Sequence, residues 1–363
     1  MFESPSSHKY DTTDYRKIDP GFGDEKTMKL LVKEAHDRGI RVMLDGVFNH
    51  CGSNFLPWRD VMEKGPKSPY YDWFMINRWP CREQEGSTRD GRYYSFAFAE
   101  RMPKLNTSEK KVRDYFLDTV RYWIETFDID GLRLDVANEI SHLFCRELRQ
   151  MTKQLKPDFY LLGEIWHDAM PWLGGDEFDA VMNYPFAAAI REFWYQPEKT
   201  KSDLEEAIHE NLVRYMRQTT EVLFNLMDSH DTDRLIHQTG GNQDLFFQQL
   251  AMLFTMPGSP CIYYGTEIAI EGGADPDCRR CMPWDQIEQG NYAEIKQLIA
   301  LRKEPAARSM EITFENNNSS DRVVEYVKTG AEGSRLRVVL NASGKETDVE
   351  TEGSVLFAGG YEN

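Results

Sequence analysis

Six short segments rich in β-branched and aromatic residues recur along the chain, and most are followed by a stretch with helical periodicity. The strand-like segments are 41–48, 131–137, 159–166, 179–186, 221–228 and 260–267. The stretch 108–127 spaces its apolar residues three and four apart, as an amphipathic helix does. This alternation predicts a parallel α/β fold, either a barrel or a doubly wound sheet. The sequence has no glycine-rich phosphate loop after any strand, which argues against the nucleotide-binding version.

The domain organisation follows from where this alternation is interrupted. A length of 363 residues suits a large barrel with a small appendage. The interval 51–107 is too long for an ordinary connection and is rich in aromatic residues, so we expect an inserted subdomain there. The barrel domain is predicted over 1–305. After it, alternating segments separated by Gly, Asn and Ser predict a C-terminal antiparallel β domain over 306–363.

Charge and composition exclude several classes of partner. A net charge of −17 argues against nucleic acid and against an anionic membrane surface. The sequence has no apolar run of membrane-spanning length and does not begin with a basic and then apolar leader, so we expect a soluble, cytoplasmic protein. Of the six cysteines only Cys278 and Cys281 are close in sequence. Reduced thiols are the favoured interpretation, and a redox pair is the alternative.

The segment "DGLRLDVANE", residues 130–139, combines an arginine and an aspartate on one side of a strand. Side chains alternate across a strand, so Arg133 and Asp135 share one face while Leu132 and Leu134 share the other. In a parallel barrel, functional side chains collect where strands end and loops begin. We therefore expect Arg133 and Asp135 to face the barrel mouth and the two leucines to pack against outer helices.

Three of the predicted strands offer a carboxylate at their ends, as Asp135, Glu164 and Asp231. A single aspartate in such a position commonly caps the next helix, but three at corresponding positions predict an active site. A buried arginine needs a partner, and Asp45 from the neighbouring strand is the candidate for Arg133. The arginine should keep Asp135 ionised, whereas the apolar neighbours of Glu164 should favour the protonated acid. A retaining glycosidase requires such a pair, with oxygens roughly 5–5.5 Å apart.

Five ordered motifs resemble the signature regions of a known family. "DGVFNH", "GLRLDVANE", "GEIWH" and "MDSHDTDR" resemble, in order, four regions of the α-amylase family (glycoside hydrolase family thirteen). "MPKLN" at 102–106 and the ending "VANE" are similar to the subfamily of neopullulanases, cyclomaltodextrinases and maltogenic amylases. The resemblance implies a TIM-type (β/α)8 barrel. It also implies retaining hydrolysis of α-1,4 links in cyclodextrins, pullulan or maltodextrins, with some transfer to sugar acceptors.

The resemblance also assigns roles to individual residues. Asp135 matches the nucleophile, Glu164 the general acid and base, and Asp231 the residue that stabilises the transition state. The substrate-binding residues that it implies are Tyr10, His50, Arg133, His230, Asp275, Arg279, Asn138 and Glu139. Tyr10 would stack beneath the reacting sugar, and Asn138 and Glu139 would shape the acceptor side. A purely structural role is the alternative, chiefly for Tyr10, Asp275 and Arg279, whose loops are less distinctive.

The start of the chain departs from the family pattern. "MFESPSSHKYDT" resembles the loop after the second barrel strand, so we expect a barrel lacking its first two strands and lacking the subfamily's N-terminal domain. That domain forms the dimer in relatives, so a homodimer is an open question, and the chain alone is expected to be poorly stable or poorly active. No cofactor is implied. Asn49 matches a position that binds structural calcium in many α-amylases, and calcium is kept as an alternative.

Two other functions compete with hydrolysis of α-glucans. A non-catalytic relative could use the barrel for binding or assembly, or the chain could be an inactive fragment. Such proteins typically lose a carboxylate, and all three are present here. A metal-dependent barrel hydrolase built from His50, His230 and Asp231 is a third candidate, although the expected pair of histidines on one strand is missing from the sequence. The preferred substrate among cyclodextrin, pullulan and starch is left open.

Overall fold

The computed structural model describes residues 1–81, 88–287 and 293–349. These residues form two compact units. The first holds Met1–Ile165 and Ala169–Val181, and the second holds Trp166–Asp168 and the described residues from Met182 onward. Two parts of the predicted domains, 82–87 of the inserted subdomain and 350–363 of the C-terminal β domain, lie outside the described residues. The domain boundaries derived from the sequence remain a prediction.

Among its described residues, the first unit contains six strands and four α-helices. In chain order they are β1 (Phe2–Glu3), β2 (Asp14–Ile18), α1 (Glu25–His36), β3 (Met43–Gly46), α2 (Leu56–Lys64), α3 (Lys110–Phe127), β4 (Gly131–Leu134), α4 (His142–Leu155), β5 (Tyr160–Gly163) and β6 (Ala180–Val181). β1 and β2 form an antiparallel pair. β3, β4, β5 and β6 form a parallel sheet in that order.

The register of the parallel sheet brings the ends of its strands to one edge. Asp45 is opposite Arg133, and Gly46 is opposite Leu134. Leu134 is in turn opposite Gly163 on β5. All four residues of β4 are buried, as expected for a parallel strand covered on both faces. The residues that directly follow β4 and β5 are therefore neighbours at the carboxyl edge of the sheet.

Helix α3 covers this sheet with the face that its periodicity predicts. Its buried side chains include Phe116, Val120 and Trp123, which are spaced three and four apart. Phe116 contacts Phe48, with ring centroids 4.5 Å apart. This aromatic contact anchors Phe48, which lies in the loop after β3. Packing against α3, in addition to strand β3, therefore fixes the position of the residues that follow Phe48.

The described residues of the interval 51–107 are joined by isolated bridges and aromatic contacts. Isolated antiparallel bridges join Phe74 to Leu105 and Ile76 to Tyr93. Trp58 and Phe74 are buried, with their rings 4.8 Å apart. A third bridge joins Lys104 to His50 at the end of β3. The "MPKLN" segment therefore lies directly against the "DGVFNH" segment.

The second unit contains eight α-helices and five strands among its described residues. In chain order they are α5 (Tyr184–Tyr195), α6 (Lys201–Val213), α7 (Arg217–Thr220), β7 (Phe224–Asn225), α8 (Leu235–Gln238), α9 (Gln243–Thr255), β8 (Ser259–Pro260), α10 (Trp284–Ile287), α11 (Ala293–Arg302), α12 (Pro305–Arg308), β9 (Ile312–Glu315), β10 (Val323–Thr329) and β11 (Arg335–Asn341). β7 and β8 are parallel. β9, β10 and β11 form an antiparallel sheet with β10 in the centre, which confirms the predicted C-terminal β structure.

Each of the six predicted parallel strands is present, but each is shorter than its predicted segment. At 179–186 the strand ends at Val181 and α5 begins at Tyr184, and at 260–267 only Pro260 belongs to β8. The Asn183 side chain accepts a hydrogen bond from the Phe186 amide and caps this helix. No helix within the described ranges is long and apolar enough to span a bilayer.

Candidate active site

The carboxyl edge of the first unit's parallel sheet presents two buried acids. Asp135 follows β4 and Glu164 follows β5, and each side chain belongs to a residue that is 6% exposed. The Asp135 amide donates to the Gly46 carbonyl at 3.2 Å, and the Glu164 amide donates to the Leu134 carbonyl at 3.0 Å. The strand hydrogen bonding thus continues to both residues, and the rigid sheet fixes their backbone positions.

Arg133 contacts three carboxylates at this edge. Its Nη1 donates to the two oxygens of Asp45 at 2.7 and 2.8 Å and to Asp135 Oδ1 at 3.3 Å. Its Nη2 lies 3.0 Å from Glu164 Oε2. Burial would lower the pKa of Arg133, but the surrounding negative charges, Asp45 foremost, raise it. The predicted Arg133–Asp45 pair is confirmed, and one fixed cation serves both candidate catalytic acids.

The surroundings of Glu164 are more polar than its sequence neighbours suggest. Glu164 Oε2 accepts a hydrogen bond from the Val136 amide at 2.9 Å in addition to its contact with Arg133. Ile165, the next residue, is buried, as expected. The Glu164 carboxyl group thus lies beside an N–H donor and a guanidinium, a more polar setting than its apolar sequence neighbours predict.

Tyr10 and His50 lie beside this edge in the first unit. The Tyr10 hydroxyl donates to Asp45 Oδ2 at 3.0 Å. His50 is fully buried and stacks on Phe96, with ring centroids 4.6 Å apart. Burial lowers the pKa of His50 to about 4, so its ring is neutral at pH 7. Its Nε2 has no hydrogen-bond partner within the described parts of the chain, and a sugar hydroxyl is a group that could satisfy it.

The remaining predicted residues of the first unit lie on the turn after β4. Asn138 and Glu139 belong to a 3-10 turn over Ala137–Glu139, and both are exposed. Glu139 forms an ion pair with Lys104 of the "MPKLN" segment. Lys104 was not among the predicted site residues, although its motif was recognised. The signal that could have identified Lys104 is its positive charge, in a motif of the same site as several predicted carboxylates.

Asn49, the position matched to structural calcium, does not fit that ion. Its side-chain oxygen accepts a hydrogen bond from the Lys104 ammonium at 2.5 Å. The ammonium supplies positive charge at the oxygen that calcium would use and would repel a second cation. No group of three or more His, Cys, Asp or Glu side chains close enough to hold a metal ion occurs in residues 1–81, 88–287 and 293–349. The alternative of a metal-dependent hydrolase gains no support from the donor groups present.

The second unit brings four predicted residues together. Arg279 Nη2 lies 3.2 Å from Asp231 Oδ1, and Arg279 Nε lies 2.7 Å from Asp275 Oδ1. His230 Nε2 lies 3.1 Å from Asp231 Oδ2. The His230 carbonyl also accepts a hydrogen bond from Arg279 Nε at 3.0 Å. Asp231 and His230 lie in the loop after β7, so the loops after β7 and β8 jointly form this cluster.

Arg234, which is not among the predicted site residues, holds those two loops together. It is almost fully buried, and its guanidinium lies 4.0 Å from the ring centroid of Tyr263. Its Nε donates to the Cys278 carbonyl at 2.7 Å, next to Arg279. The same loop is fixed by Asp228, whose Oδ2 accepts from the Leu235 amide at 2.9 Å. Nothing in the pattern "TDRLI" distinguishes such a buried arginine from an exposed one.

Comparison with known proteins gives the same assignment as the motifs. A family model described as "Alpha amylase, catalytic domain" matches residues 1–329. The cyclomaltodextrinase of Geobacillus thermopakistaniensis (strain MAS1) is 49% identical over 354 residues, which are 96% of this chain and 59% of the relative. The intracellular maltogenic amylase of Bacillus subtilis is 48% identical over 306 residues, which are 84% of this chain and 51% of the relative.

A solved structure shares the fold. A cyclomaltodextrinase structure matches with a TM-score of 0.88 at 44% identity, covering 94% of this chain and 58% of the other. The chain spans between about half and three fifths of the length of these relatives. The predicted fold class, a (β/α) barrel of amylase type with a C-terminal antiparallel sheet, is confirmed. Since the catalytic-domain match covers most of its length, the chain belongs to the alpha-amylase family.

Proposed function

We propose that the protein is a retaining glycoside hydrolase that cleaves α-1,4 glucosidic links in cyclodextrins, pullulan or short maltodextrins. The observation that carries this proposal is the contact of one buried guanidinium, Arg133, with both Asp135 and Glu164. The names of the relatives, cyclomaltodextrinase and intracellular maltogenic amylase, support the substrate class. The subfamily motif "MPKLN" supports the same choice.

The two acids divide the reaction into two displacements. Asp135 attacks the anomeric carbon while Glu164 gives its proton to the oxygen of the departing sugar, and the glycosidic bond breaks as the glycosyl ester forms. Glu164 then takes a proton from water, the water oxygen attacks the same carbon, and the bond to Asp135 breaks. Because each displacement inverts the configuration of the anomeric carbon, the two together retain it. When a sugar hydroxyl replaces the water, the product is a transferred glycoside.

Arg133 suits both stages because it touches both acids. Before the reaction the negative charge is on Asp135 and the proton is on Glu164. In the glycosyl ester, Asp135 is neutral and Glu164 is the anion. The guanidinium lies 3.3 Å from Asp135 and 3.0 Å from Glu164, so it faces the charged acid at each stage without moving. Such fixed charge costs no reorganisation during the reaction.

The other predicted residues are proposed to bind the sugar. Asp231 and His230 would hold hydroxyls of the reacting ring, with Arg279 fixing Asp231 and Asp275 fixing Arg279 in turn. The neutral His50 and the Tyr10 ring would bind the same sugar. Asn138 and Glu139 would contact the acceptor side, where their exposure suits an incoming saccharide.

A location and an assembly are also proposed from the relatives. A relative named intracellular supports a cytoplasmic location. Homodimer formation is proposed only from the resemblance to the subfamily. The acidic balance, with a net charge of −17, disfavours nucleic acid and anionic membranes as partners.

The test is product analysis with three glucans. The protein is incubated with β-cyclodextrin, pullulan and soluble starch, and products such as maltose and panose are identified by chromatography. Asp135→Asn should lose nearly all turnover, since the amide cannot form the ester, while the melting temperature stays close to that of the parent. Binding of β-cyclodextrin without turnover by the parent would favour a non-catalytic binding protein, and full activity of Asp135→Asn would refute the proposal.

A further inference from the structure

Val136, the residue between the candidate nucleophile and the acceptor-side turn, has an unusual backbone conformation. Its φ is 48° and its ψ is 46°, which is the left-handed region. A β-branched side chain rarely adopts this conformation because its Cβ substituents crowd the backbone. Among the non-glycine residues with positive φ in the described ranges, Val136 is the β-branched one. Its surroundings must therefore impose the conformation.

The left-handed turn directs two successive amides at one residue. The Val136 amide donates to Glu164 Oε2 at 2.9 Å, and the Ala137 amide donates to the Glu164 carbonyl at 3.1 Å. In an extended strand, successive amides point in opposite directions and could not both reach Glu164. A left-handed residue followed by a right-handed turn instead makes adjacent amides converge, and such pairs bind anionic oxygens.

We propose that Val136 is a positioning residue for the proton donor, and this rests on the proposed glycosidase function. Its amide fixes the Glu164 carboxyl group relative to Asp135, which is the preceding residue in the chain. Arg133 holds the same oxygen, Oε2. One amide hydrogen bond and one ion-pair contact therefore hold the Glu164 carboxyl group at the same oxygen. The left-handed turn thereby fixes the orientation of the Glu164 carboxyl group relative to Asp135.

Removing this one N–H tests the proposal. In the first variant, 2-hydroxyisovalerate replaces Val136, so an ester replaces the amide and the side chain is kept. We expect kcat for β-cyclodextrin to fall about tenfold to a hundredfold, the range for losing one hydrogen bond to a charged group, with KM changed less than about twofold. The alkaline limb of the kcat/KM profile should move to higher pH, because a carboxylate that loses a donor binds its proton more tightly.

A matched control uses the same chemistry in the same turn. The Ile140 amide donates to the Ala137 carbonyl at 3.2 Å and does not contact Glu164, so an ester at Ile140 should leave kcat and the pH profile close to those of the parent. Equal kcat and equal pH profiles for the esters at Val136 and Ile140 would overturn the proposal.

Two side-chain variants test the conformation independently of turnover. Val136→Gly should melt no lower than the parent, because glycine adopts positive φ without a steric penalty. Val136→Thr keeps the β-branch and should melt below Val136→Gly. If Val136→Gly melted clearly below Val136→Thr, residue 136 would have an extended backbone and not a left-handed one, and the proposal would be overturned. If the parent has no turnover, the proposed function fails, and these melting temperatures still decide the conformation.

Discussion

Arg133 is the residue on which the arrangement of the acids depends. Alternation along the strand predicted that Arg133 and Asp135 share a face, and the parallel neighbour strand predicted Asp45 as the partner. Both are found because in-register strands leave little freedom at the edge of a sheet. The polar setting of Glu164 could not be predicted, since it depends on a left-handed turn at Val136 that no valine-containing pattern indicates.

Removing the Arg133 charge should destabilise the first unit strongly. Arg133→Met leaves Asp45, Asp135 and Glu164 without their common cation, and breaking a buried ion pair costs about 3–5 kcal/mol. Urea denaturation at pH 7 measures the free energy of unfolding. Arg133→Lys should lose less stability, because it keeps the charge, but an ammonium cannot reproduce the guanidinium's contacts with all three acids.

The control for this prediction is an exposed arginine of the same unit. Arg38 pairs with Glu34 on the surface of α1, and exposed pairs contribute about 0–1 kcal/mol. Arg38→Met should therefore change the free energy of unfolding little. If Arg133→Met unfolded at the same urea concentration as Arg38→Met, the central role of Arg133 would be wrong.

At the scale of elements, the sequence predicted the existence of the strands better than their ends. The segment 179–186 continues its apolar pattern beyond Val181, but Asn183 and Pro185 begin a helix there. Asparagine at the cap and proline in the first turn are helix signals. In this segment the local capping signals prevailed over the apolar run. The C-terminal strands were easier to predict, because their alternation is bounded by Gly, Asn and Ser.

The "MPKLN" segment is expected to make the first unit independent of calcium. Lys104 links Asn49 in the loop after β3 to Glu139 after β4. The melting temperature should be the same in EDTA as in millimolar calcium chloride, because the ammonium already supplies the charge. Differential scanning calorimetry measures both. A rise of several degrees on adding calcium would show that the ion binds and that Lys104 does not replace it.

A pair of lysine variants completes this test. Lys104→Met should lower the melting temperature, since Asn49 and Glu139 lose a shared cation. Lys110→Met removes an exposed ion pair with Asp114 on α3 and should have little effect. Equal melting temperatures for the two variants would mean that Lys104 contributes no more than a surface lysine.

Strand β10 carries a buried lysine that should make stability depend on pH. Lys328 is fully buried, and its Nζ donates to the Ala307 and Thr255 carbonyls. Burial lowers the pKa of Lys328 to about 7, and the positive charge of Arg302 adds to this effect. A neutral amine has two N–H donors, which match the two carbonyls. The folded state therefore holds this lysine neutral at alkaline pH.

The sign of the effect follows from proton uptake on unfolding. Between about pH 7 and about pH 10.4, the unfolded chain binds a proton at Lys328 that the folded chain does not bind, so stability rises with pH. Below the folded pKa both states are protonated and the contribution is constant. The gain in unfolding free energy from Lys328→Met should therefore be larger at pH 7 than at pH 9.5, measured by urea denaturation. The control is Lys345→Met at an exposed lysine, which should change the free energy of unfolding equally at both pH values. An equal change for Lys328→Met at pH 7 and pH 9.5 would contradict the assignment of Lys328 as a buried neutral amine.

For the whole molecule, the motifs were sufficient to predict the family and the fold class, because signature residues cluster at strand ends in a fixed order. They could not predict the grouping into two compact units, with Asp135 and Glu164 in the first and Asp231 in the second. Packing decides this grouping, and packing depends on contacts between residues far apart in sequence. Arg234 illustrates the point, since its role comes from Tyr263 and Cys278, which lie well beyond it in the chain.

The most direct measurement traps the ester on the nucleophile. Glu164→Gln is incubated with α-maltosyl fluoride, whose fluoride leaves without a proton donor, while the missing base leaves the glycosyl ester unhydrolysed. Mass spectrometry of the proteolytic peptides should then show one maltosyl group on the peptide that contains Asp135, with the modification at that residue. A maltosyl group on a different residue, or steady release of maltose with no modified peptide, would contradict the assignment of Asp135 and Glu164.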